Sequence, residues 1–486
     1  MGVDVAASAQ AIFDKRRAGI LLHPTSLPGG VVGSDAYYFV DWLVKAGISV
    51  WQMLPLGPVH QDKSPYQCLS AHAGNPTLIS DQYLIDRGWL PVDENSEKPS
   101  IERAFEAWLS SDGKVDSEFT DFVAQHDDWL HDYALFVVIR EQQNNAGWFH
   151  WPEKLRDRDK RTLAAFEKKA HKQLLFVKFE QYVFYYQWLT LKAYANERGV
   201  LLFGDMPIFV AYDSADVWAN QDAFLLDEYG NPTVVAGVPP DYFSETGQRW
   251  GNPLYDWSYL EKTGFQWWVD RFHSQLEMFD LMRIDHFRGF EAYWEIDAAC
   301  ETAIDGRWVE APGEALFEKL QQEFSELPLV AEDLGIITPK VEALRDQFGL
   351  PGMKILQFAF GGDASNPYLP HNHVKQSVCY TGTHDNDTSL GWYQAIDDAT
   401  KHHVDSYLGY STEPMPWPLI RSALASVSQL SVIPMQDVLS LDGNHRMNVP
   451  GTTEGNWQWE FSWNQVGDDL ADKLNTMLQM YSRIDG

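Results

Sequence analysis

Basic residues are in short supply. Thirty-seven lysines and arginines face 69 aspartates and glutamates, leaving a formal charge of -32. A surface this acidic repels phosphate backbones and anionic lipid, which excludes nucleic acid and membranes as partners and points to a neutral or cationic ligand. Cysteine is scarcer still. Cys68, Cys300 and Cys379 are odd in number, far apart and outside any CxxC pair. This excludes a disulfide scaffold and a zinc site and fits a reducing compartment, so a cytoplasmic location is expected. No apolar run approaches the roughly 20 residues of a membrane helix. No secretory signal is visible between Met1 and Arg17, and repeats and low-complexity tracts are missing.

Aromatic residues, by contrast, are abundant. They make up 14% of the 486-residue chain, with 20 Trp and 21 Tyr. Many lie in polar, Gly/Pro-rich stretches such as GQRWGNPLYDW, which holds Trp250 and Tyr255. Pyranose rings stack their apolar faces on aromatics while their hydroxyls seek carboxylates and amides. An acidic, aromatic-rich protein therefore suits a carbohydrate ligand, although any single ring is more commonly part of the core.

Short apolar runs ending in polar residues recur along the chain. They are GILLHPTS (19–26), SVWQMLPL (49–56), VLLFGDMP (200–207), DLMRIDHF (280–287), LPLVAEDL (327–334), GMKILQFAF (352–360), SVCYTGTHD (377–385) and LSVIPMQD (430–437). Helical patterns separate most of them, for example Ala36–Ala46, Leu174–Glu197, Phe265–Met278, Gly313–Glu326 and Pro339–Phe348. Thr338-Pro339 reads as an N-cap followed by Pro at the first helical position. Eight buried strands alternating with helices predict an α/β fold, a (β/α)8 barrel. A plain barrel needs about 250 residues, so the remainder is insertion. The expected division is one catalytic domain, 1–486. It carries a mainly helical insertion at 60–171 after the second strand, a loop insertion at 208–262 after the third, and another at 386–428 after the seventh. The 438–463 loop, rich in Gly, Asn and Trp, joins them at the carboxyl face, where they would build a cleft.

Several runs end in carboxylates. In RIDHFRG, Arg283 and Asp285 are two residues apart and share a strand face. A guanidinium beside a carboxylate holds it ionised, which suits a nucleophile or charge stabiliser. A structural ion pair is the plain alternative. Glu332 in LPLVAEDLG closes an apolar run, and burial there raises a carboxyl pKa as a general acid requires. Neighbouring Asp333 points elsewhere and is expected to cap the next turn. His384 and Asp385 close the seventh run in YTGTHDND, and Asp205 closes the third. The Asp-Asn-Asp turn lacks the spacing and glycine of a calcium loop, so no metal is expected. Each motif alone is weak. Carboxylates at four strand ends of one barrel fit cleavage of a glycosidic bond, which needs one on each side of the scissile linkage.

At these residues the sequence resembles the 4-alpha-glucanotransferases of the amylomaltase type, glycoside hydrolase family 77, relatives of the alpha-amylases. The likeness runs over nearly the whole chain. It is carried by GILLHPTSLPG, SPYQ, GDMPIFVAYDSADVW, GVPPDYFSETGQRWGNPLYDW, RIDHFRGF, VAEDLG, GMKILQFAF, YTGTHDND and RMNVPGTTEGNW. The resemblance implies a retaining mechanism with Asp285 as nucleophile, Glu332 as acid/base and Asp385 as transition-state stabiliser. It implies sugar contacts from Tyr66, Asp205, Arg283, His384 and Asn448, and a mobile loop over the acceptor side at 242–250, with Tyr242, Phe243 and Trp250. It implies no C-terminal β-sandwich and no cofactor. The implied partners are malto-oligosaccharides and starch- or glycogen-derived glucans, with a monomer and a homodimer both open. A glucan hydrolase using the same residues, and an inactive glucan-binding protein, remain as alternatives.

Overall fold

The fold is described by a computed structural model for residues 12–90, 99–111, 116–241 and 244–484. Its strands in chain order are β1 (Arg17–Leu21), β2 (Val50–Gln52), β3 (Leu201–Pro207), β4 (Val234–Val238), β5 (Gln248–Pro253) and β6 (Leu281–Asp285). They continue with β7 (Ala292–Asp297), β8 (Gly306–Glu310), β9 (Leu329–Ala331), β10 (Gly352–Ile355), β11 (Ser377–Tyr380) and β12 (Leu430–Pro434). Eight of them pair in parallel in the order β10-β11-β12-β1-β2-β3-β6-β9. The two ends meet where the Ala331 N–H donates to Pro351 O at 2.9 Å, closing the sheet into a barrel. Each strand matches one of the eight apolar runs read from the sequence.

Period-2 alternation sorts side chains between the two faces of the barrel wall. Leu21, Val50, Phe203, Leu281, Val330, Met353, Val378 and Val432, one from each strand, fill a common interior cluster. Their neighbours Ile20, Trp51, Leu202, Met282 and Ala331 pack outward against the helices. The same parity fixes the site. Asp205 follows Phe203 by two, Arg283 and Asp285 follow Leu281 by two and four, and Glu332 follows Val330 by two. All four therefore project over the mouth of the barrel from the carboxyl ends of their strands.

Helices surround the sheet, among them Ser34–Ala46, His171–Glu197, Gln266–Met278, Gly313–Phe324, Pro339–Gln347 and Trp417–Ala425. Between β2 and β3 the chain adds helices including Ser100–Ser111, Ser117–Gln125, Asp127–Gln142 and Lys160–Lys169. Two sequence expectations need correction. Residues 208–262, read as loop, contain β4 and β5. These join β7 and β8 in a second, antiparallel sheet of order β5-β4-β7-β8. The strands escape sequence reading because β4 is a five-residue Gly-containing run and its partner β7 lies over fifty residues away. Thr338 does occupy the N-cap position before Pro339, but its side chain makes no capping bond and its Oγ1 is buried without a partner.

Gly204 sits between Phe203 and Asp205 with no room for a side chain. A Cβ there would come within 2.5 Å of the Phe279 ring. Gly204→Ala must displace that buried ring or the strand bearing Asp205, at a cost of about 1–3 kcal/mol for an overpacked core. The expected result is a lower thermal midpoint by calorimetry, and an unchanged midpoint would show that Phe279 yields freely.

Candidate active site

A single run of hydrogen bonds joins the polar residues at the barrel mouth. Arg283 lies at its centre, 5% exposed. One amine donates to Asp205 Oδ2 at 2.6 Å and the other to Asp285 Oδ1 at 2.7 Å. The Tyr66 hydroxyl donates to the same Asp205 oxygen at 2.6 Å and lies 2.9 Å from His384 Nε2. His384 Nε2 is 3.3 Å from Asp385 Oδ2, and the Asn448 amide donates to Asp385 Oδ1 at 2.6 Å. Seven residues from five parts of the chain are thereby linked around one opening.

Glu332 enters from the neighbouring strand and is held by backbone. The His286 N–H donates to Oε2 at 2.7 Å and the Leu334 N–H to Oε1 at 2.9 Å. His286 can do this because it adopts a left-handed conformation, φ 54°, immediately after Asp285. That conformation is uncommon and costly for a residue with a side chain. It turns the amide following the strand end away from the β-ladder and toward the next strand's carboxylate. The Glu332 carboxylate thus lies one peptide unit from Asp285.

The electrostatics of these groups diverge. Burial of Glu332, reinforced by the nearby negative charge of Asp285, pushes its carboxyl up to about 7, against the opposing pull of Arg283 and the two N–H donors. Asp385 moves the other way. Desolvation would raise it, but His384, the Asn448 amide and Arg283 together hold it well below the usual carboxylate range. Burial also raises Asp205, partly offset by Arg283. Arg283 loses hydration but gains two carboxylates, which keep its guanidinium charged. The site therefore offers a protonated acid near neutral pH beside an arginine-bound carboxylate, with a firmly ionised aspartate across from them. Two carboxyl groups in distinct environments are what acid-assisted cleavage of an acetal requires.

The residues singled out in the sequence fall into three groups. Asp205, Arg283, Asp285, Glu332, His384, Asp385, Tyr66 and Asn448 come together. Trp250 stands at the edge, its ring edge-on to His286 at 4.8 Å, and it belongs to β5 rather than to a loop. Tyr242 and Phe243 lie outside the described residues. Asp333 does not cap a turn. It accepts the Met353 N–H at 2.7 Å and an Arg345 amine at 2.5 Å, bracing β9 against β10. The Asp-Asn-Asp turn is occupied internally, for Asn386 Oδ1 accepts both the N–H and the hydroxyl of Thr383 at 2.9 Å. Among the described residues, no group of three or more His, Cys, Asp or Glu side chains is placed to hold a metal. Sequence reasoning missed Trp457, whose ring lies 5.9 Å from Tyr66 and 6.0 Å from His384. Its signals were its place in the Gly- and Asn-rich loop at 438–463 and at the end of the string RMNVPGTTEGNW. It also missed His286, whose backbone role no side-chain pattern announces.

Comparison with known proteins gives a consistent outcome. The family model described as 4-alpha-glucanotransferase, glycoside hydrolase family 77, matches residues 22–465. A 4-alpha-glucanotransferase of Thermus thermophilus is 47% identical over 96% of this chain and 99% of its own length. A chloroplastic/amyloplastic 4-alpha-glucanotransferase of Solanum tuberosum is 44% identical, over 97% of this chain and 87% of its own. Among solved structures, an amylomaltase from Streptococcus agalactiae in complex with acarbose superposes with a TM-score of 0.93 at 36% identity, covering 97% of this chain and all of that one.

The geometry assigns the acidity of Asp385 in part to Asn448. Asn448→Ala removes the 2.6 Å donor and with it a bond that favours the ionised form. The Asp385 carboxyl should then titrate at higher pH, as followed by carboxyl-carbon NMR. Unchanged titration would leave His384 and Arg283 as the whole cause.

Proposed function

Because the chain belongs to the 4-alpha-glucanotransferase family and is a transferase, we propose that it moves segments of α-1,4-glucan from a donor maltodextrin to the 4-hydroxyl of an acceptor glucan or glucose, with retention of configuration. The observation that carries this reading is the placement of a carboxyl raised to about 7, Glu332, one peptide unit from the arginine-paired Asp285. In the first half-reaction an Asp285 oxygen attacks the anomeric carbon. Glu332 gives its proton to the departing glycosidic oxygen, and a glycosyl ester forms on Asp285. In the second, ionised Glu332 takes the proton of an acceptor 4-hydroxyl. That oxygen displaces Asp285 and restores the α-linkage.

The surrounding groups take supporting roles. Asp385, kept ionised, stabilises the positive charge that develops on the sugar ring in the transition state. Arg283 orients Asp285, while Asp205 and Tyr66 fix Arg283. Tyr66, His384 and Trp457 supply ring surface to the sugar at the cleavage point. Tyr242 and Phe243 are assigned to the acceptor side with Trp250, where they would hold an acceptor and displace water. No metal or cofactor enters the chemistry.

Two experiments test the reading. Maltotriose should yield glucose and a ladder of longer maltodextrins with little gain in reducing ends. Asp285→Asn should lower this turnover by roughly 10⁴-fold or more, as loss of a covalent nucleophile does. A run-down to glucose and maltose with matching reducing-end gain would instead establish a hydrolase. The pH dependence follows from the acid. Glu332 carries its proton below about 7 and loses it above. Under conditions where formation of the glycosyl ester limits the rate, kcat/KM should therefore fall with rising pH through that value, about tenfold per unit at the alkaline end. A flat profile to pH 9 would remove Glu332 as the acid.

A further inference from the structure

The last barrel strand in the chain is also followed by a carboxylate, one that the chemistry above leaves unused. Asp437 closes the run LSVIPMQD shortly past β12 and is 1% exposed. Two hydroxyls and a backbone N–H bind it. The Thr381 hydroxyl donates to Oδ2 at 2.6 Å, the Ser389 hydroxyl to the same oxygen at 2.6 Å, and the Ser389 N–H to Oδ1 at 2.7 Å. Thr381 and Ser389 are themselves fully buried.

The two donor residues have particular places in the chain. Thr381 directly follows β11, and Ser389 begins the helix Ser389–Ala395. Between them runs the 382–388 turn, which carries His384 and Asp385. One carboxylate therefore joins the two ends of the segment that brings those groups to the barrel mouth. Its own height is set by β12, which pairs in parallel with β11 so that Tyr380 lies opposite Val432. Other contacts act within the turn. The Gln357 amide donates to Asp387 O at 2.8 Å, and an Arg446 amine donates to Asp385 O at 2.9 Å.

This arrangement is a poor source of stability. Burial raises the Asp437 carboxyl, the three donors oppose that rise, and nearby Asp387 adds repulsion. The donors are uncharged, and a buried carboxylate without a cation is costly. Replacing buried polar partners by apolar groups of the same shape can be nearly neutral, so stability alone does not call for a carboxylate here. What an apolar cluster cannot supply is direction. Hydrogen bonds to an ion are short and strong, and three of them on one carboxylate fix both ends of the turn in distance and orientation.

We propose that Asp437 is a positioning residue for the transfer reaction. By tying both ends of the 382–388 turn to the end of β12, it holds Asp385 beside the Asn448 amide and His384 beside Tyr66. Its part in turnover rests on the transfer reading above, while the placement of Asp385 does not. A turn released at one end would carry Asp385 away from the charge that develops on the sugar, and the loss would fall on the transition state rather than on binding.

The test uses Thr381, whose hydroxyl can be deleted with little change of volume. Thr381→Val, Thr381→Ser and Asp437→Ala are compared in the full-length enzyme. Thr381→Val and Asp437→Ala should each lower kcat on maltotriose by about 10- to 100-fold, the scale of a small misplacement of a reacting group. KM should move by less than about threefold, and Thr381→Ser, which restores the hydroxyl, should recover kcat to within about threefold of the parent. Without substrate, the Asp385 carboxyl should titrate at higher pH in Thr381→Val than in the parent or Thr381→Ser, as followed by carboxyl-carbon NMR, because the shifted turn loses the Asn448 amide. The proposal is overturned if either folded variant keeps the parental kcat, if the loss falls on KM instead, if the Asp385 titration does not move, or if Thr381→Ser falls as far as Thr381→Val. An unfolded Asp437→Ala leaves the decision to Thr381→Val, and an unfolded Thr381→Val would also overturn the proposal, since the tie would then serve the fold. Failure of the transfer reading would show separately, as an absent maltodextrin ladder from the parent while the Asp385 titration still shifts.

Discussion

The ion pairs of Arg283 hold the active site together. One guanidinium, almost wholly removed from water, binds Asp205 on one side and Asp285 on the other. A buried charge is tolerated only with close, well-aligned partners, and removing one partner leaves the rest uncompensated. The requirement reaches outward. Asp205 must be presented at the matching height by β3, which pairs in register with β6 so that Asp205 lies opposite Arg283. Tyr66, from the far side of β2, then completes Asp205 and reaches His384 from β11. The barrel register thus sets the position of Asp285 through the guanidinium of Arg283.

The strands and the core were legible because their signals are local. Eight apolar runs with polar ends gave eight strands, since a parallel barrel buries both faces of each strand. The carboxylates at the strand ends were legible for the same reason: parity places them, and chemistry selects them. The antiparallel sheet was not. Its strands are short and mixed in polarity, and the pairing that joins its two halves, β4 with β7, spans more than fifty residues, so Val234 meets Asp297 only once the fold has brought them together. Asp333 was misread because its partners, Arg345 and the Met353 amide, belong to later elements that no pattern around Asp333 reveals. His286 was illegible in principle. Its contribution is a backbone N–H aimed by a positive φ, which depends on the turn and not on the imidazole.

Trp457 shows how a loop residue becomes a site residue. Its backbone also has positive φ, and its N–H donates to Met447 O at 2.7 Å. This bond folds the 438–463 loop back on itself and carries the indole to within ring contact of Tyr66 and His384. The same loop supplies Asn448 to Asp385. A single excursion after the last barrel strand therefore provides both a ring beside Tyr66 and His384 and an amide donor to Asp385.

In the proposed reaction, the division between Glu332 and Asp385 also bears on how one carboxyl would serve as acid and then as base. The elevation of Glu332 arises first from burial and next from the negative charge of Asp285. Burial persists throughout a reaction cycle, but the charge does not. With Asp285 esterified by the sugar, as the proposed reaction requires, its carboxylate charge would be gone. The repulsion that held the proton on Glu332 goes with it, while Arg283 and the two backbone N–H donors continue to favour the ionised form. Glu332 then becomes more acidic at the moment it has already given up its proton, and it remains a carboxylate until an acceptor hydroxyl arrives. Asp385 undergoes no such swing, because the groups that hold it ionised, His384, Asn448 and Arg283, are not consumed. On this proposal the guanidinium of Arg283 would leave Asp385 steady while Glu332 changes state, and the change would be driven by the bond that forms on Asp285.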